Sequence, residues 1–348
     1  MRLIPRKATA ALGAGLAAIA LLYLSASALV AKPSTPLTGP AETRLSVVPL
    51  SFDPDAATKT RFGKLTYRGG LNLFARSVHF GGYSAIALDT SGTTLLALSD
   101  AGSWMRATLG SDGTRLDSRW QGRIGPILGR DGKPLQSETE RDAEGIALLS
   151  GDTNAGSALV SFERDHRILQ YPFTPERFGP PTGTVSLPKA ARGMNSNQGL
   201  EAIATIRSGR MKGTVVAFSE RLQDRAGNLI GWLIGGPAPG TITIRRLGGF
   251  DITGAAGLPD GGLLLLERRF RYSEGVKMRI RRIAASDLRR GKLITGETLL
   301  EADDLLNIDN MEAIAVHRAQ DGATVLTLMS DGNFSAFQRS LIMQFALP

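Results

Sequence analysis

An all-β propeller of four-stranded blades is the fold that this sequence predicts, because a short phrase recurs along the chain and short β-prone runs fill the intervals. The phrase is small and apolar, and a carboxylate precedes it in three copies, at Glu144, Glu201 and Glu312. Degenerate copies carry Ser84 and Gly254 at the aligned position. Subtracting the aligned positions 84, 144, 201, 254 and 312 gives steps of 60, 57, 53 and 58 residues. Such a period is typical of a repeat architecture.

Four short runs occupy one interval between copies of the phrase. In the second repeat they cover residues 145–149, 158–162, 167–173 and 183–187, with turn residues between them. The third repeat shows the same order of runs. Because a blade buries its faces only against neighbouring blades, such a set must close into a ring.

The last repeat predicts how the ring closes. It holds only three strand-like runs, at residues 313–317, 324–329 and 341–347. We expect N-terminal residues 64–75 to supply its missing outer strand. The sequence thus predicts a single propeller of five blades, or of six if residues 42–80 form more of a blade, closed by the N-terminal strand.

The N-terminal residues differ in composition from the rest. Arg2, Arg6 and Lys7 precede an apolar stretch over residues 8–31. This pattern predicts a signal peptide cleaved after Ala28, or a retained membrane anchor of 24 residues. We expect an exported protein, either periplasmic or anchored to the inner membrane and facing the periplasm. Residues 32–41 form a linker rich in Pro, Thr and Gly, and residues 42–348 form the propeller domain.

Composition excludes several kinds of chemistry. The 348 residues contain no cysteine, which rules out a disulfide framework, a thiolate metal site and a cysteine nucleophile. Motifs for a serine nucleophile elbow, a P-loop, a zinc protease and an EF-hand are missing. The formal charge is +9, but aromatic residues make up only 6% of the chain, which argues against nucleic acid as a partner. We expect an anionic small-molecule ester as partner, and contact with a membrane only through an uncleaved N-terminal segment.

A second charged element ends the second strand of each repeat. Its copies are Asp100, Glu163-Arg164, Glu220-Arg221, Glu267-Arg268 and Asp331. In an up-and-down blade, the start of the first strand and the end of the second lie side by side. We therefore expect Glu144 near Arg164, Glu201 near Arg221, and Glu312 near Asp331, all around one mouth of the central channel.

Two interpretations of these charges remain open. Each carboxylate could pair with a neighbouring arginine and merely close the top of its blade. Alternatively the set forms a site, in which Arg164, Arg221 and Arg268 bind phosphate as planar bidentate donors. Glu144, Glu201 and Asn333 would then be further substrate contacts.

The acidic residues cluster where the last blade meets the first. Asp100, Glu312 and Asp331 are the ligands we expect for Ca²⁺ or another divalent cation. Glu312 and Asp331 are also candidate catalytic residues, together with His166 as a general base at the rim of the mouth.

Several phrases of the chain resemble the bacterial phytase-like family, whose label is esterase-like activity of phytase. They are 142–147 (DAEGIA), 197–202 (NQGLEA), 265–270 (LLERRF), 309–314 (DNMEAI), and the closing 328–334 (LMSDGNF) and 338–343 (QRSLIM). The resemblance covers about residues 60–347. It implies a propeller fold and the hydrolysis of a phosphoric or other ester.

The sequence therefore favours an exported phytase-like propeller hydrolase that acts on an ester, with a phosphate ester favoured and a metal-activated water as nucleophile. The alternative is a noncatalytic periplasmic or envelope propeller. It would bind an anionic ligand or a protein partner at the same mouth.

Overall fold

A computed structural model describes residues 32–110, 115–116 and 120–348. The predicted signal or anchor segment, residues 1–31, lies outside the described residues. Residues 32–40 have no regular secondary structure. Three strands then precede the repeats, namely β1 (Ala41–Leu50), β2 (Arg61–Phe62) and β3 (Leu65–Ala75).

Blades 1 and 2 are four-stranded antiparallel sheets. The strands of blade 1 are β4 (Tyr83–Leu88), β5 (Thr94–Ser99), β6 (Ser103–Thr108) and β7 (Gln121–Pro126). The strands of blade 2 are β8 (Ala143–Gly151), β9 (Gly156–Phe162), β10 (Arg167–Phe173) and β11 (Gly183–Val185). Between the two blades lies one turn of helix, α1 (Glu138–Arg141), which begins with a capping box formed by Ser137 and Glu140.

Blades 3 and 4 follow the same plan, and each repeat adds a short 3₁₀ turn, at Lys189–Gly193 and Ala285–Asp287. The strands of blade 3 are β12 (Leu200–Thr205), β13 (Val215–Gln223), β14 (Leu229–Ile234) and β15 (Gly240–Ile244). Next come the first three strands of blade 4, β16 (Asp251–Gly257), β17 (Leu263–Arg271) and β18 (Gly275–Ile283). β19 (Leu293–Ile294) then pairs in parallel with β15, and β20 (Glu297–Asp303) completes blade 4.

Blade 5 is closed by the N-terminal part of the chain, as the sequence predicted. Its first three strands are β21 (Met311–Arg318), β22 (Thr324–Ser330) and β23 (Ser340–Ala346). β3 pairs antiparallel with β23 and supplies the fourth strand, while β1 pairs with both β3 and β7 and joins blades 5 and 1. The inner strands β4, β8, β12, β16 and β21 contact one another in a closed ring. The described residues therefore form a propeller of five blades.

The small residues of the recurring phrase let the inner strands approach one another closely. A Cβ atom at Gly254 would lie 2.6 Å from the carbonyl oxygen of Glu312 in the next blade. At Gly145 it would lie 3.0 Å from the Ile203 side chain. Larger side chains at these positions would push the inner strands apart. The small apolar phrase is thus explained by packing around the channel.

Apolar side chains of neighbouring blades form the core. Between blades 4 and 5, buried residues such as Leu266, Met278, Leu328 and Phe345 form one continuous cluster. Removing this apolar surface from water is the main driving force that holds blades together. Among the described residues, no helix has the length and apolar character needed to cross a membrane.

Candidate active site

Each inner strand carries a β-bulge near its start, where one residue is skipped in the pairing with the second strand of the blade. The skipped residues, here called the bulge ring, are Ser84, Glu144, Glu201, Thr253 and Glu312. A bulge turns a side chain out of the regular alternation of a strand. All three glutamates of the bulge ring line a cavity at one end of the channel, which we call the mouth. The recurring carboxylate of the sequence is therefore a bulge residue that faces the mouth.

Two members of the bulge ring are hydroxyl residues, and both tie neighbouring blades together. The Ser84 hydroxyl donates to the Ala143 carbonyl of blade 2, and the Thr253 hydroxyl donates to the Met311 carbonyl of blade 5 at 3.1 Å. Aligning the sequence repeats placed Gly254 at this position, which is wrong by one residue. The phrase is degenerate in blade 4, and only the strand pairing identifies Thr253 as the bulge.

A second set of side chains is here called the rim ring. On each second strand, its member directly follows the residue that pairs with the residue before the bulge. Its members are Asp100, Glu163, Glu220, Arg268 and Asp331. The backbone N–H of each of the four acidic members donates a hydrogen bond, at 2.8–2.9 Å, to the carbonyl oxygen of the residue that precedes an inner strand. In blade 4 the Glu-Arg dipeptide lies one residue earlier relative to the bulge than in blades 2 and 3, so Glu267 pairs with Ile252 and Arg268 takes the rim position opposite Asp251. A cation thus stands where the other four blades have a carboxylate.

The bulge ring and the rim ring open into one cavity of about 960 Å³. The residues predicted from the sequence that line it are Asp100, Glu144, Arg164, Glu201, Arg221, Arg268, Glu312, Asp331 and Asn333. Side chains from all five blades therefore meet at the mouth. The expectation that the two charged elements of each repeat converge there agrees with this geometry.

The ion pairs at the mouth differ from those expected. Arg164 Nε lies 2.6 Å from an Asp142 oxygen, rather than pairing with Glu144. Arg221 Nε lies 2.9 Å from an Asp251 oxygen, rather than pairing with Glu201. Each arginine follows a rim glutamate directly in sequence and pairs with an aspartate near the start of an inner strand, while it still lines the cavity.

Arg268 pairs across a blade boundary. Its Nη1 atom lies 3.0 Å from Glu312 Oε1, which also accepts a hydrogen bond from Asn310 at 2.8 Å. Burial lowers the pKa of Arg268, but the opposing effect of Glu312, Glu201, Glu220 and Asp331 is larger, and the net shift is upward. Arg268 is therefore the cation of the rim ring, held among four carboxylates.

Glu144 and Glu201 have no directly bonded cation among the described residues, although Arg268 acts to lower the pKa of Glu201. Within the part of the chain that the structure describes, no donor hydrogen-bonds either carboxylate. Their oxygens belong to two groups of three carboxylates, Asp142–Glu144–Glu163 and Glu163–Glu201–Glu220, whose members lie within 4.8 Å of one another. Glu163 belongs to both groups. Like charges at such distances repel strongly where water is excluded.

The pKa values of these carboxyl groups follow from burial and like charge. Burial raises the pKa of Glu144 well above its ordinary range, and Glu201 and Asp142 raise it further. Burial also raises the pKa of Glu201, with Glu220 as the next contribution. The folded chain thus gathers carboxylates that it does not neutralise with its own cations.

Glu312 and Asp331 sit on the other side of the mouth. Burial raises the pKa of Glu312 to about 7, although Arg268 acts to lower it. Burial and the Glu312 carboxylate raise the pKa of Asp331 well above its ordinary range. Both carboxyl groups therefore hold protons to a higher pH than exposed ones do.

The donor set of the two groups fits a hard divalent cation. Carboxylate oxygens are the ligands that Ca²⁺, Mg²⁺ and Mn²⁺ prefer, and a bound cation would offset the repulsion within each group. The ligand set predicted from the sequence, Asp100, Glu312 and Asp331, lines the same cavity but is not one of the two close groups in the described residues. The role of those three residues stays a prediction.

Lys32, which the sequence assigned to the linker, also reaches the mouth. Its Nζ atom lies 2.7 Å from Asp100 Oδ2 and 3.3 Å from Asp142 Oδ1. Arg141 Nη1 donates to the Pro33 carbonyl at 3.0 Å and holds the same segment. Burial lowers the pKa of Lys32, but Asp100 and Asp142 raise it by more. The first described residue of the chain is therefore part of the acidic mouth.

Sequence reasoning missed Asp142, Glu163, Glu220 and Lys32 as site residues. A signal existed for Glu163 and Glu220, because both precede an arginine in the second charged element of their repeats. Asp142 precedes the phrase of blade 2 but has no acidic counterpart in blade 3, where Gly199 takes its place. No local pattern singles out Lys32, since its contacts lie far away in sequence.

His166 and Asn333 occupy different places. The ring nitrogen Nε2 of His166 lies 2.9 Å from the Asn195 carbonyl oxygen, and its ring packs where a Cβ of Gly199 would be. His166 is not among the residues that line the cavity in the described part of the chain. Asn333 does line it, and its left-handed backbone (φ 46°) lets its N–H donate to Asp331 Oδ1 at 2.6 Å.

Comparisons with known proteins point to one family. The family model described as "Phytase-like: Esterase-like activity of phytase" matches residues 78–334, which span β4 to β22. No curated protein matches the chain. Among solved structures, the chain is similar to "Structure of U3-55K", with 10% identity, a TM-score of 0.41, and coverage of 90% of this chain and 100% of that one. It is also similar to "Crystal structure of RRP9 WD40 repeats", with 10% identity, a TM-score of 0.39, and coverage of 90% and 99%.

Proposed function

This chain belongs to the phytase-like family, described as esterase-like activity of phytase, and we propose that its mouth binds a divalent cation and hydrolyses a phosphate ester. One observation carries the proposal. Two groups of three carboxylates that share Glu163 face the same cavity as Arg164, Arg221 and Arg268. Glu144, Glu163 and Glu201 of these groups form no ion pair with a protein cation of the described residues, which favours a metal ion, and the arginines beside them suit an anionic substrate.

The cation would be held by the two groups that share Glu163. Glu144 and Glu201 offer oxygens that no protein donor of the described residues occupies. The Gly199 N–H donates to Glu163 Oε1 at 2.7 Å and fixes the orientation of the shared ligand. A bound divalent cation lowers the pKa of a coordinated water and neutralises developing negative charge.

The arginines would orient the phosphate. Arg164 and Arg221 each use Nε for an aspartate, and Arg221 Nη2 also lies 3.6 Å from Glu220 Oε1. Both side chains line the cavity and are 37% and 43% exposed. The remaining N–H groups of a guanidinium can bind two phosphate oxygens in one plane. Asn333 adds an amide donor at the opposite edge of the cavity. Arg268 lies between these contacts and the carboxylates, where charge develops during hydrolysis.

Glu312 is the candidate general acid. A carboxyl group whose pKa lies near 7 is present in both protonation states at neutral pH, which suits proton transfer. The oxygen of the attacking water would form the new bond to phosphorus while the bond to the leaving oxygen breaks. Protonated Glu312 would give its proton to that oxygen, and the water would lose a proton to solvent.

Export is a further part of the proposal. The charged residues ahead of the apolar stretch at residues 8–31 support a location outside the inner membrane, either free in the periplasm or anchored to the membrane. The substrate would then be a phosphate ester available in that compartment.

Hydrolysis and cation binding can be tested on the same variants. Wild type, Glu163→Gln and Glu312→Gln would be titrated with Ca²⁺, Mg²⁺ and Mn²⁺ by calorimetry, and assayed on 4-nitrophenyl phosphate, its diester and the acetate ester. We expect hydrolysis of a phosphate ester only with a divalent cation. Glu163→Gln should weaken cation binding about tenfold or more, since it removes a shared ligand. Glu312→Gln should keep cation binding but lower turnover about 100-fold.

Glu297→Gln is the matched control. Glu297 is an exposed glutamate that pairs with Lys64 at the start of β20, at the end of blade 4 away from the mouth. It should match wild type in both measurements. Cation binding without turnover of any ester would contradict the hydrolase and support a noncatalytic propeller that binds an anionic ligand. Failure to bind any cation would contradict the metal site.

A further inference from the structure

The most exposed apolar side chains of the molecule lie on one face. Among the described residues, the five large apolar side chains with the greatest exposure are Val78, Phe270, Tyr272, Leu305 and Phe337, from 57% for Phe270 to 97% for Tyr272. Each lies in a connection between strands rather than within a regular strand, except Phe270, which is near the end of β17. Phe270 and Tyr272 contact each other, whereas the other three stand on separate loops.

Strand direction places all five at the mouth. The inner strand of every blade starts at the mouth, so the second and fourth strands return to it. Val78 follows β3, the outer strand of blade 5, and Leu305 follows β20, the outer strand of blade 4. Phe270 and Tyr272 form the tip of the β17–β18 hairpin, and Phe337 lies between β22 and β23. The loops that surround the mouth are here called the mouth face.

Basic residues accompany the aromatic ones on the mouth face. Phe270 and Tyr272 pack edge to face at 5.2 Å, with Arg269, Arg271 and Lys277 in the same hairpin. Glu274 forms ion pairs with all three of these cations. Three cations around one carboxylate leave the hairpin tip positively charged. Exposed aromatic rings beside arginine and lysine are the combination that binds the boundary of an anionic lipid layer.

The N-terminal segment reaches the same face. Lys32 is held in the mouth by Asp100 and Asp142, and the 24 residues ahead of it, 8–31, are apolar or weakly polar. The apolar stretch is therefore joined covalently to the mouth face and not to the opposite end of the channel. If that stretch enters a bilayer, the mouth face lies next to the same bilayer.

We infer that the mouth face is a docking surface for an anionic lipid bilayer, with Tyr272, Phe270, Leu305, Val78 and Phe337 at the lipid boundary. This inference goes beyond the proposed hydrolysis and does not depend on it. A bilayer fits better than a protein groove, because the five side chains stand on separate loops around a polar cavity. Such an arrangement suits a laterally continuous surface. Both the hairpin tip, through Phe270 and Arg271, and the loop that carries Phe337, through Gln338, border the mouth cavity.

The chain has no cysteine, so single cysteines can report the position of each face. Full-length Tyr272→Cys and Phe337→Cys would be labelled with an environment-sensitive dye and reconstituted in vesicles of phosphatidylcholine with added phosphatidylglycerol. We expect a blue shift of the dye emission and about tenfold weaker quenching by aqueous iodide, since both side chains enter the headgroup boundary. Vesicles of phosphatidylcholine alone should give a smaller shift.

Leu149→Cys is the control in the same vesicles. Leu149 is an exposed leucine near the end of β8, at the opposite end of the channel, and a dye there should stay fully accessible to iodide. Equal accessibility at 149 and 272 would overturn the inference. A shift at 272 that disappears when the protein is diluted among the same lipids would assign the face to a second copy of the chain, and would also overturn it.

Discussion

The charged residues of the repeat have different roles in blade 4 and in blades 2 and 3. In blades 2 and 3 the bulge ring and the rim ring both carry glutamates that face the mouth without enough positive charge around them. In blade 4 the bulge residue is Thr253, whose hydroxyl ties two blades together, and the rim residue is Arg268. The glutamate of blade 4, Glu267, points into the sheet and pairs with Arg281, both side chains being almost fully buried.

This difference shows what decides the role of a repeated carboxylate. The sequence left two interpretations open, a structural tie or a site residue. Glu267 is a structural tie because the fold supplies a buried partner on the next strand. Glu144 and Glu201 are candidate site residues because the fold supplies none. The Glu-Arg dipeptide of blade 4 lies one residue earlier relative to the bulge, and this difference separates the two outcomes.

The largest expected effect concerns the buried pair of blade 4. Arg281→Met leaves Glu267 as a buried charge, with only Arg279 at 3.7 Å to compensate it. We expect the free energy of unfolding to fall by about 3–5 kcal/mol in urea titrations. Arg282→Met removes an exposed pair with Asp260 and should cost less than about 1 kcal/mol. Cation binding should be unchanged in both, and weaker binding in Arg281→Met would mean that the Glu267–Arg281 pair also supports the site.

The second prediction concerns the pH dependence of stability, which should reflect the buried carboxyl groups of blades 2, 3 and 5. The pKa of Glu312 is about 7 in the folded protein against an ordinary value of 4.5, so the folded state binds its proton more tightly than the unfolded state does. The stabilisation is fully present below pH 4.5 and is lost as the pH rises through 7. The metal-free protein should therefore lose on the order of 1–3 kcal/mol of stability between pH 5 and pH 8.

Unfolding in urea with a chelator at each pH measures this loss. Adding Ca²⁺ at pH 8 should restore stability, because only the folded state assembles the ligands. Glu312→Gln should flatten the profile, whereas Glu297→Gln should leave it unchanged. A stability that rises from pH 5 to pH 8 without metal would contradict the assignment of uncompensated carboxylates.

The third prediction concerns Arg268, whose removal should change the affinities for Ca²⁺ and for inorganic phosphate in opposite directions. Arg268→Met removes the cation that lies among the mouth carboxylates. We expect Ca²⁺ to bind about tenfold more tightly and inorganic phosphate about tenfold more weakly, each equivalent to about 1.4 kcal/mol. Calorimetry measures both affinities, with Arg282→Met as the control. If both ligands bound more weakly, Arg268 would serve only to hold the mouth together.

The smallest effect is expected at the hydroxyl members of the bulge ring. Thr253→Val keeps the shape of the side chain but removes its hydrogen bond to the Met311 carbonyl. The free energy of unfolding should fall by about 1 kcal/mol, with cation binding unchanged. Ser84→Ala should behave in the same way between blades 1 and 2. A change in cation affinity in either variant would remove the distinction between hydroxyl and carboxylate members of the ring.

Much of the fold could be predicted because it follows from local repetition. Period, turn residues and the three-stranded last repeat predicted five blades and closure by residues 64–75, and β3 fills that place. The predicted residues around the mouth line one cavity, because strand direction alone brings the two charged elements of a blade to the same end. The ion pairs could not be predicted in this way. Arg221 pairs with Asp251 of the next blade, and Lys32 pairs with Asp142, which is 110 residues away.

The sequence by itself determined the propeller fold, the way the ring closes, and the end of the channel at which charge collects, while it left five or six blades open. These properties depend on the order of strands and on a repeat that every blade shares. Tertiary structure alone decided which carboxylates are neutralised and which are left to bind a ligand. That outcome depends on where the Glu-Arg dipeptide of blade 4 falls relative to its bulge, on contacts between blades and on the arrival of Lys32 from the N-terminus. The contacts between blades and with Lys32 form only when the ring is closed.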